Sequence, residues 1–212
     1  MTVCILGNGL TALTLAKALV NNEINVDVLY NKKNYKISDT RTIGISKNNI
    51  DFFNSNIINI EKIIWNLKKI EIFSENLNKE RLINFKTNND QLFSILKNYK
   101  LHNLLEQNLL KNKFFKSKFI SEKNLSFLNE YDLIINCEPS SLITNRYFSK
   151  KIIKKYNSYA YTTVITHDQI LNDTALQIFT KKGPLAFLPI SNRQTSVVYS
   201  LYNSNNQKEE NI

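Results

Sequence analysis

Residues 3–20 read Val-Cys-Ile-Leu-Gly-Asn-Gly-Leu-Thr-Ala-Leu-Thr-Leu-Ala-Lys-Ala-Leu-Val. A short apolar run meets a turn holding Gly7 and Gly9, and an apolar-periodic stretch follows. The chain has only 4 glycines, and two of them stand in this turn. The spacing is Gly7-x-Gly9-x-x-Ala12, a dinucleotide-binding fingerprint with alanine at its third position. Each residue type has a physical role in that reading. Gly7 permits the tight turn out of the strand, and Gly9 leaves bare backbone for a pyrophosphate to approach. Ala12 is small enough to let the helix pack on the strand. The N–H groups near Leu10 and Thr11 have no intrahelical acceptor and are available to phosphate. The same spacing also occurs in strand–turn–helix units that use glycine for packing alone.

Working outward, Asn25–Tyr30 (Asn-Val-Asp-Val-Leu-Tyr) is a second strand, so 2–6, 10–21 and 25–30 form a β-α-β unit with parallel, right-handed connection. A polar loop covers 31–42. A helix is expected after Ser46, which is suited to cap it, and a longer amphipathic helix over Ile60–Leu67. Residues 69–73 and 81–86 alternate with period two and read as half-buried strands. The spacing of Leu92, Ile95, Leu96, Leu101, Leu104, Leu105 and Leu109 predicts one long helix over about 90–111, with Asp90 in its first turn. Phe114–Ile120 and Asn124–Leu128 read as weak strands. Asp132–Cys137 is nearly continuous in apolar residues, as a strand covered on both faces should be. Tyr156–His167, Ala175–Phe179, Leu185–Ile190 and Thr195–Tyr202 follow as strands of an antiparallel sheet, with Gly183-Pro184 marking a turn.

Composition bounds the reading. At 212 residues, with 42% hydrophobic residues and mean hydropathy -0.30, the chain has enough apolar material for a packed core. No run of 18 apolar residues exists, so no transmembrane segment is expected. No signal peptide is expected either, because the N-terminal apolar run is already a strand interrupted by Gly7 and Gly9. Cys4 and Cys137 sit inside strand-like segments and read as small buried hydrophobes. His102 and His167 lack ligand-spaced partners, so no metal site is expected. The net charge is +10. Lysines are spread along the chain without interleaved aromatics, and 32 asparagines accompany them. That pattern fits compositional bias in an AT-rich coding sequence better than nucleic-acid binding.

The order of parallel-type and antiparallel-type segments fits two interleaved domains. This arrangement, with the residues in it, resembles the flavin-dependent aromatic-ring hydroxylases, in particular the ubiquinone-biosynthesis hydroxylases. Four stretches carry the resemblance: the Gly7–Ala12 turn; Asp39-Thr40-Arg41-Thr42-Ile43-Gly44-Ile45-Ser46; Asp132–Ser141; and Phe179 through Gly183-Pro184-Leu185-Ala186-Phe187-Leu188-Pro189-Ile190. The last is similar to a run characteristic of the ubiquinone branch.

The resemblance implies an α/β fold. A Rossmann-like parallel sheet would form an FAD-binding domain over 1–67 and 90–142. It would interleave with a mostly antiparallel substrate-type sheet over 68–89 and 143–203, followed by a frayed tail at 204–212. It implies FAD as cofactor, NAD(P)H as electron source, and hydroxylation of a small aromatic or prenylated quinone precursor. Protein partners of a quinone-biosynthesis complex are implied too. The location implied is cytoplasmic, with peripheral contact to the inner face of a membrane. The flavin supplies the chemistry, so no catalytic side chain is demanded. The cofactor contacts carried over are Gly7, Gly9, Leu10, Thr11, Ala12, Asn31 and Arg41, the last because a guanidinium suits a phosphate or the flavin edge.

Departures from the family pattern are visible. Strand two ends Leu29-Tyr30-Asn31-Lys32, where the family has an acid for the ribose, so Asn31 would act as a neutral group. Asn136-Cys137-Glu138-Pro139 stands where the family has Asp-Gly, with Glu138 as the stand-in acid. Residues 191–212 do not resemble the family's second flavin-binding segment, a Gly-Asp motif leading into a helix, so the fold is expected to be incomplete at its C-terminal side. Two other readings therefore stay open. One is a non-catalytic truncated or split relative serving as an interaction or accessory module. The other is an NAD(P)-binding Rossmann reductase.

Overall fold

A computed structural model describes residues 1–31, 37–76, 80–86, 91–120, 126–138, 142–147, 150, 152, 154 and 156–202. In chain order the elements are β1 (Thr2–Leu6), α1 (Leu10–Asn21), β2 (Asn25–Tyr30), β3 (Thr42–Ser46), α2 (Lys47–Asn56), β4 (Ile64–Leu67), β5 (Lys69–Ser74), β6 (Arg81–Lys86) and β7 (Phe93–Lys97). There follow α3 (Asn98–Leu109), β8 (Phe115–Phe119), β9 (Leu133–Asn136), α4 (Leu142–Tyr147), β10 (Ser158–Thr166), β11 (Thr174–Thr180), β12 (Gly183–Ser191) and β13 (Gln194–Tyr202). Single 3-10 turns occupy Glu61–Ile63 and Ser126–Glu130.

The chain divides into two units. The first holds residues 1–37, 51–62 and 98–152; the second holds 38–50, 63–97 and 153–212. The first unit is built on a parallel sheet in the order β8-β2-β1-β9. Val3, Cys4 and Ile5 of β1 are fully buried, as are Val26 and Val28 of β2. Such continuous burial is what a parallel sheet covered on both faces requires. Ala12 and Ala16 of α1 are also fully buried. Leu128 and Ile143 join Cys4, Leu6 and Leu29 in a second cluster. Asp27 of β2 is a buried carboxylate. It accepts from Lys118 Nζ at 3.2 Å and from the Tyr131 hydroxyl at 3.0 Å, so its charge is compensated.

The second unit holds a six-stranded sheet, β10-β13-β12-β11-β5-β6, and a three-stranded one, β3-β7-β4. Its core gathers Leu67, Ile95 and Ala175, with Trp65, Ile70, Phe93 and Leu188 against them. The larger sheet is antiparallel except where β11 pairs with β5 in parallel. This is the expected fold class: a parallel α/β layer interleaved with a mostly antiparallel sheet.

Several expectations are corrected. Ile60–Leu67 is not a helix; after one 3-10 turn, Ile64–Leu67 is a strand. The long helix over 90–111 is in fact a strand, Phe93–Lys97, followed by a helix from Asn98. Phe93–Lys97 is held between β3 and β4, so ladder pairing overrides its helix-like spacing. Asp90 lies outside the described residues. Of the expected strand Asn124–Leu128, residues 124 and 125 lie outside the described part, and the rest falls in the 3-10 turn Ser126–Glu130. Gly183 and Pro184 do not form the turn but open β12.

The helix after Ser46 is present, and Ser46 Oγ accepts the Asn49 N–H at 3.4 Å. The two units also divide the chain elsewhere than the sequence suggested. Residues 38–50, 63–67 and 91–97 belong to the second unit because β3, β4 and β7 pair with one another, and 143–152 belong to the first. The tail 203–212 lies outside the described residues.

Candidate functional site

The first unit concentrates the sequence-predicted residues at the carboxyl ends of its parallel strands. After Leu6 the chain turns at Gly7, whose φ is +104°, in the region where L side chains are strained. The Gly7 N–H donates to the Leu29 carbonyl at 2.8 Å, which ties the turn to the end of β2. Asn31 lies two residues beyond Leu29, so β2 delivers it beside the turn. Cys137 N–H donates to the Leu6 carbonyl at 2.9 Å, and β9 thereby brings Glu138 to the other side.

Gly9 is the residue that caps α1, with φ −74° and ψ 176° and no side-chain cap. Its carbonyl accepts the Leu13 N–H at 3.0 Å, the first bond of the helix. The N–H groups of Leu10, Thr11 and Ala12 come before that bond and have no intrahelical acceptor. They stand at the positive end of the helix, where an anion is favoured. Ala12 is fully buried on the packing side of the turn.

The four glycines separate cleanly by cause. Gly7 and Gly183 have positive φ, at +104° and +137°. A Cβ on Gly183 would also strike the Ser200 carbonyl, and one on Gly44 would strike the Phe93 ring. Gly9 has neither reason: its φ is ordinary, and a Cβ there would meet nothing within 4 Å. The fold leaves open space against that backbone.

Helix α3 brings to the turn a histidine that the sequence named only for lacking ligand-spaced partners. His102 of α3 is 6% exposed, and its Nε2 lies 3.0 Å from the Asn8 carbonyl, in the middle of the turn. Asn98 stands one helical turn earlier on the same face of α3. Its Oδ1 is the one buried side-chain polar atom without a hydrogen-bond partner among the described residues. A buried acceptor left unpaired costs about 1–3 kcal/mol. The signal available in sequence was a polar residue opening a helix, which is too common to be noticed.

Behind β9, Asn136 Oδ1 accepts the Glu138 N–H at 3.0 Å, and the Thr144 hydroxyl donates to the Glu138 carbonyl at 3.0 Å. Glu138 is thus held in place by backbone, and its own side chain is half-buried. Arg41 belongs to the second unit, exposed, in the residue before β3. Pro139 lies outside the described residues.

The thiols are poor nucleophiles here. Burial, and secondarily the Asp27 carboxylate, push Cys4 up to about 12. Burial also raises Cys137. Among the described residues no group of three or more His, Cys, Asp or Glu could hold a metal ion, and no helix is long and apolar enough to cross a membrane.

Solved structures with this arrangement are FAD-dependent monooxygenases. The p-nitrophenol 4-monooxygenase PnpA of Pseudomonas putida DLL-E4 superposes with a TM-score of 0.75 at 12% identity, over 98% of this chain and 60% of that one. PqsL of Pseudomonas aeruginosa, a probable FAD-dependent monooxygenase, gives 0.72 at 14% identity, over 95% and 60%. A variant of Klebsiella pneumoniae HpxO complexed with FAD gives 0.71 at 12% identity, over 97% and 58%. The chain has the fold of FAD-dependent monooxygenases. It spans about three-fifths of the length of these structures. No family model and no curated protein matches its sequence.

Proposed function

We propose that the β1–α1 turn binds the pyrophosphate of FAD. The observation that carries this reading is Gly9, which caps α1 with a side-chain-free backbone facing open space. The N–H groups of Leu10, Thr11 and Ala12 would hold phosphate oxygens, and Gly7 sets the turn. Asn98 Oδ1 would accept from a hydroxyl or amide of the cofactor. Asn31, at the end of β2, would contact the ribose as a neutral partner. Arg41 would contribute a guanidinium to phosphate or to the flavin edge.

In this reading the protein is the FAD-binding part, with its substrate-type sheet, of an aromatic-ring hydroxylase. The bound flavin supplies the oxygen chemistry, and the chain binds, orients and shields it from water. NAD(P)H is the proposed electron source. The proposed substrate is a small aromatic or prenylated quinone precursor, met in the cytoplasm or at the inner face of a membrane, within a quinone-biosynthesis complex. Support for an aromatic substrate comes from PqsL, which has been solved in complex with 2-aminobenzoylacetate. Support for the ubiquinone branch is the Phe179–Ile190 run alone.

A second reading, an accessory module without catalysis, is favoured by one observation. The end of β2, Tyr30-Asn31, offers no carboxylate to the ribose. The simple NAD(P) reductase loses support because it has no use for the six-stranded sheet of the second unit.

Titration with FAD, read by flavin fluorescence quenching, separates these readings. Retention of FAD, with NADPH oxidation stimulated by an electron-rich phenol, supports the hydroxylase. Retention without turnover supports the accessory module. No retention at micromolar protein rules out the FAD site in this chain.

A further inference from the structure

The β1–α1 turn is fixed at both ends by backbone: the Gly7 N–H donates to the Leu29 carbonyl, and the Gly9 carbonyl accepts from the Leu13 N–H. The peptide unit between these bonds, from the Asn8 carbonyl to the Gly9 N–H, is fixed by a side chain instead. His102 Nε2 lies 3.0 Å from the Asn8 oxygen. Among the described residues no second donor reaches that oxygen, and no acceptor reaches the Gly9 N–H. A carbonyl can only accept, so Nε2 carries the proton of this bond. Nδ1 stands 3.9 Å from Glu106 Oε2, beyond hydrogen-bond reach. The histidine is buried in the packing of α3, which holds its ring in place.

We infer that His102 is a positioning residue: it locks the Asn8–Gly9 peptide so that the Gly9 N–H is presented to phosphate. This rests on the reading of the turn as an FAD site. The Asn8–Gly9 bond is trans, as are all peptide bonds among the described residues. In a trans peptide the C=O and the N–H point in opposite directions. With the Asn8 carbonyl drawn to α3, the Gly9 N–H turns away from α3, on a residue where a Cβ would meet nothing within 4 Å. Glycine has no Cβ to bias its backbone, so the peptide before Gly9 can flip as a unit unless something holds it. A flipped peptide would show an incoming anion the Asn8 oxygen, a partial negative charge, in place of an N–H. The imidazole therefore sets the sign of the group that the turn offers to a pyrophosphate.

Wild type, His102→Leu and His102→Gln are compared by FAD titration, by melting curves and by amide NMR of the chain without ligand. Leucine keeps the bulk and removes the donor, whereas the glutamine Nε2 amide can donate as the imidazole Nε2 does. His102→Leu is expected to raise the FAD dissociation constant about tenfold or more, and to displace the Gly9 amide resonance before any FAD is added. His102→Gln is expected to bring both back most of the way to wild type. A histidine that only fills space would lower the melting temperature in the two variants without separating their affinities. Nitrogen NMR of the wild-type imidazole needs no variant, and it is expected to show the neutral ring protonated at Nε2. A neutral ring protonated at Nδ1, a His102→Gln variant that binds no better than His102→Leu, or a His102→Leu variant that binds as tightly as wild type overturns this inference and leaves the FAD site standing. A wild-type chain that binds no FAD overturns the site itself, and the role of His102 with it.

Discussion

Gly9, in the β1–α1 turn, and Gly183, which opens β12, are glycines for opposite reasons. Gly183 is needed by the fold itself. Its φ is +137°, and the Ser200 carbonyl occupies the space a Cβ would take. Gly9 caps α1, and no described neighbour excludes a side chain there. Its φ is −74°, and a Cβ would meet open space. A glycine explained by its neighbours speaks of packing, while a glycine that no neighbour explains speaks of something absent from the chain.

The largest effect separates the two on stability. Gly183→Ala forces a methyl into the β13 backbone and should cost at least about 3 kcal/mol, read by thermal or denaturant unfolding. A variant that melts like wild type would dissolve the contrast from the packing side. Gly9→Val should do the reverse. Its stability should stay within about 1 kcal/mol of wild type. FAD affinity should fall about a hundredfold or more, roughly 2.7 kcal/mol.

A third prediction concerns the strand that carries the Gly7 turn. Burial holds the Cys4 thiol neutral, up to about 12, so its folded pKa lies above the unfolded value. The neutral form is the one the fold favours. That stability is fully present below about pH 8.5 and is lost as pH rises toward 12, at up to about 1.4 kcal/mol per pH unit. The Tyr131 phenol, raised by burial and by its hydrogen bond to Asp27, adds loss in the same direction at still higher pH. Cys4→Ala should flatten the first part of the alkaline decline. A decline of unchanged slope would show that the β1 core does not set it.

The smallest effect is at Asn98. Asn98→Ala removes an unpaired buried acceptor. The chain without ligand should be as stable as wild type or about 1 kcal/mol more so. FAD binding should weaken about tenfold. Loss of stability without loss of affinity would show Asn98 to be a packing residue.

Much of this was legible in sequence, for a reason that also explains the failures. β1, α1, β2 and β9 were readable because a parallel sheet covered on both faces demands continuous apolar runs, and helix α1 starts at a glycine turn. The antiparallel strands from β10 to β13 were readable from alternation and short polar connections. The strand Phe93–Lys97 was not, because its apolar spacing fits helix and strand alike. Only its long-range partners, Thr42–Ser46 and Ile64–Leu67, decide between them. The site was legible where it is local in sequence, from Gly7 to Ala12. His102 comes to the turn from more than ninety residues away, by the packing of α3, and no local pattern announces it. Proline placement was half-legible: Pro184 follows the first residue of β12 and Pro189 borders a register shift, the positions a sheet tolerates.

The most direct test is FAD titration of the wild-type chain and Gly9→Val side by side, with melting curves for both. If the turn is a ligand site, wild type quenches flavin fluorescence at micromolar protein, and Gly9→Val melts like wild type but does not quench. If wild type leaves the flavin signal unchanged, or Gly9→Val binds as well, the open space at Gly9 is not a cofactor site.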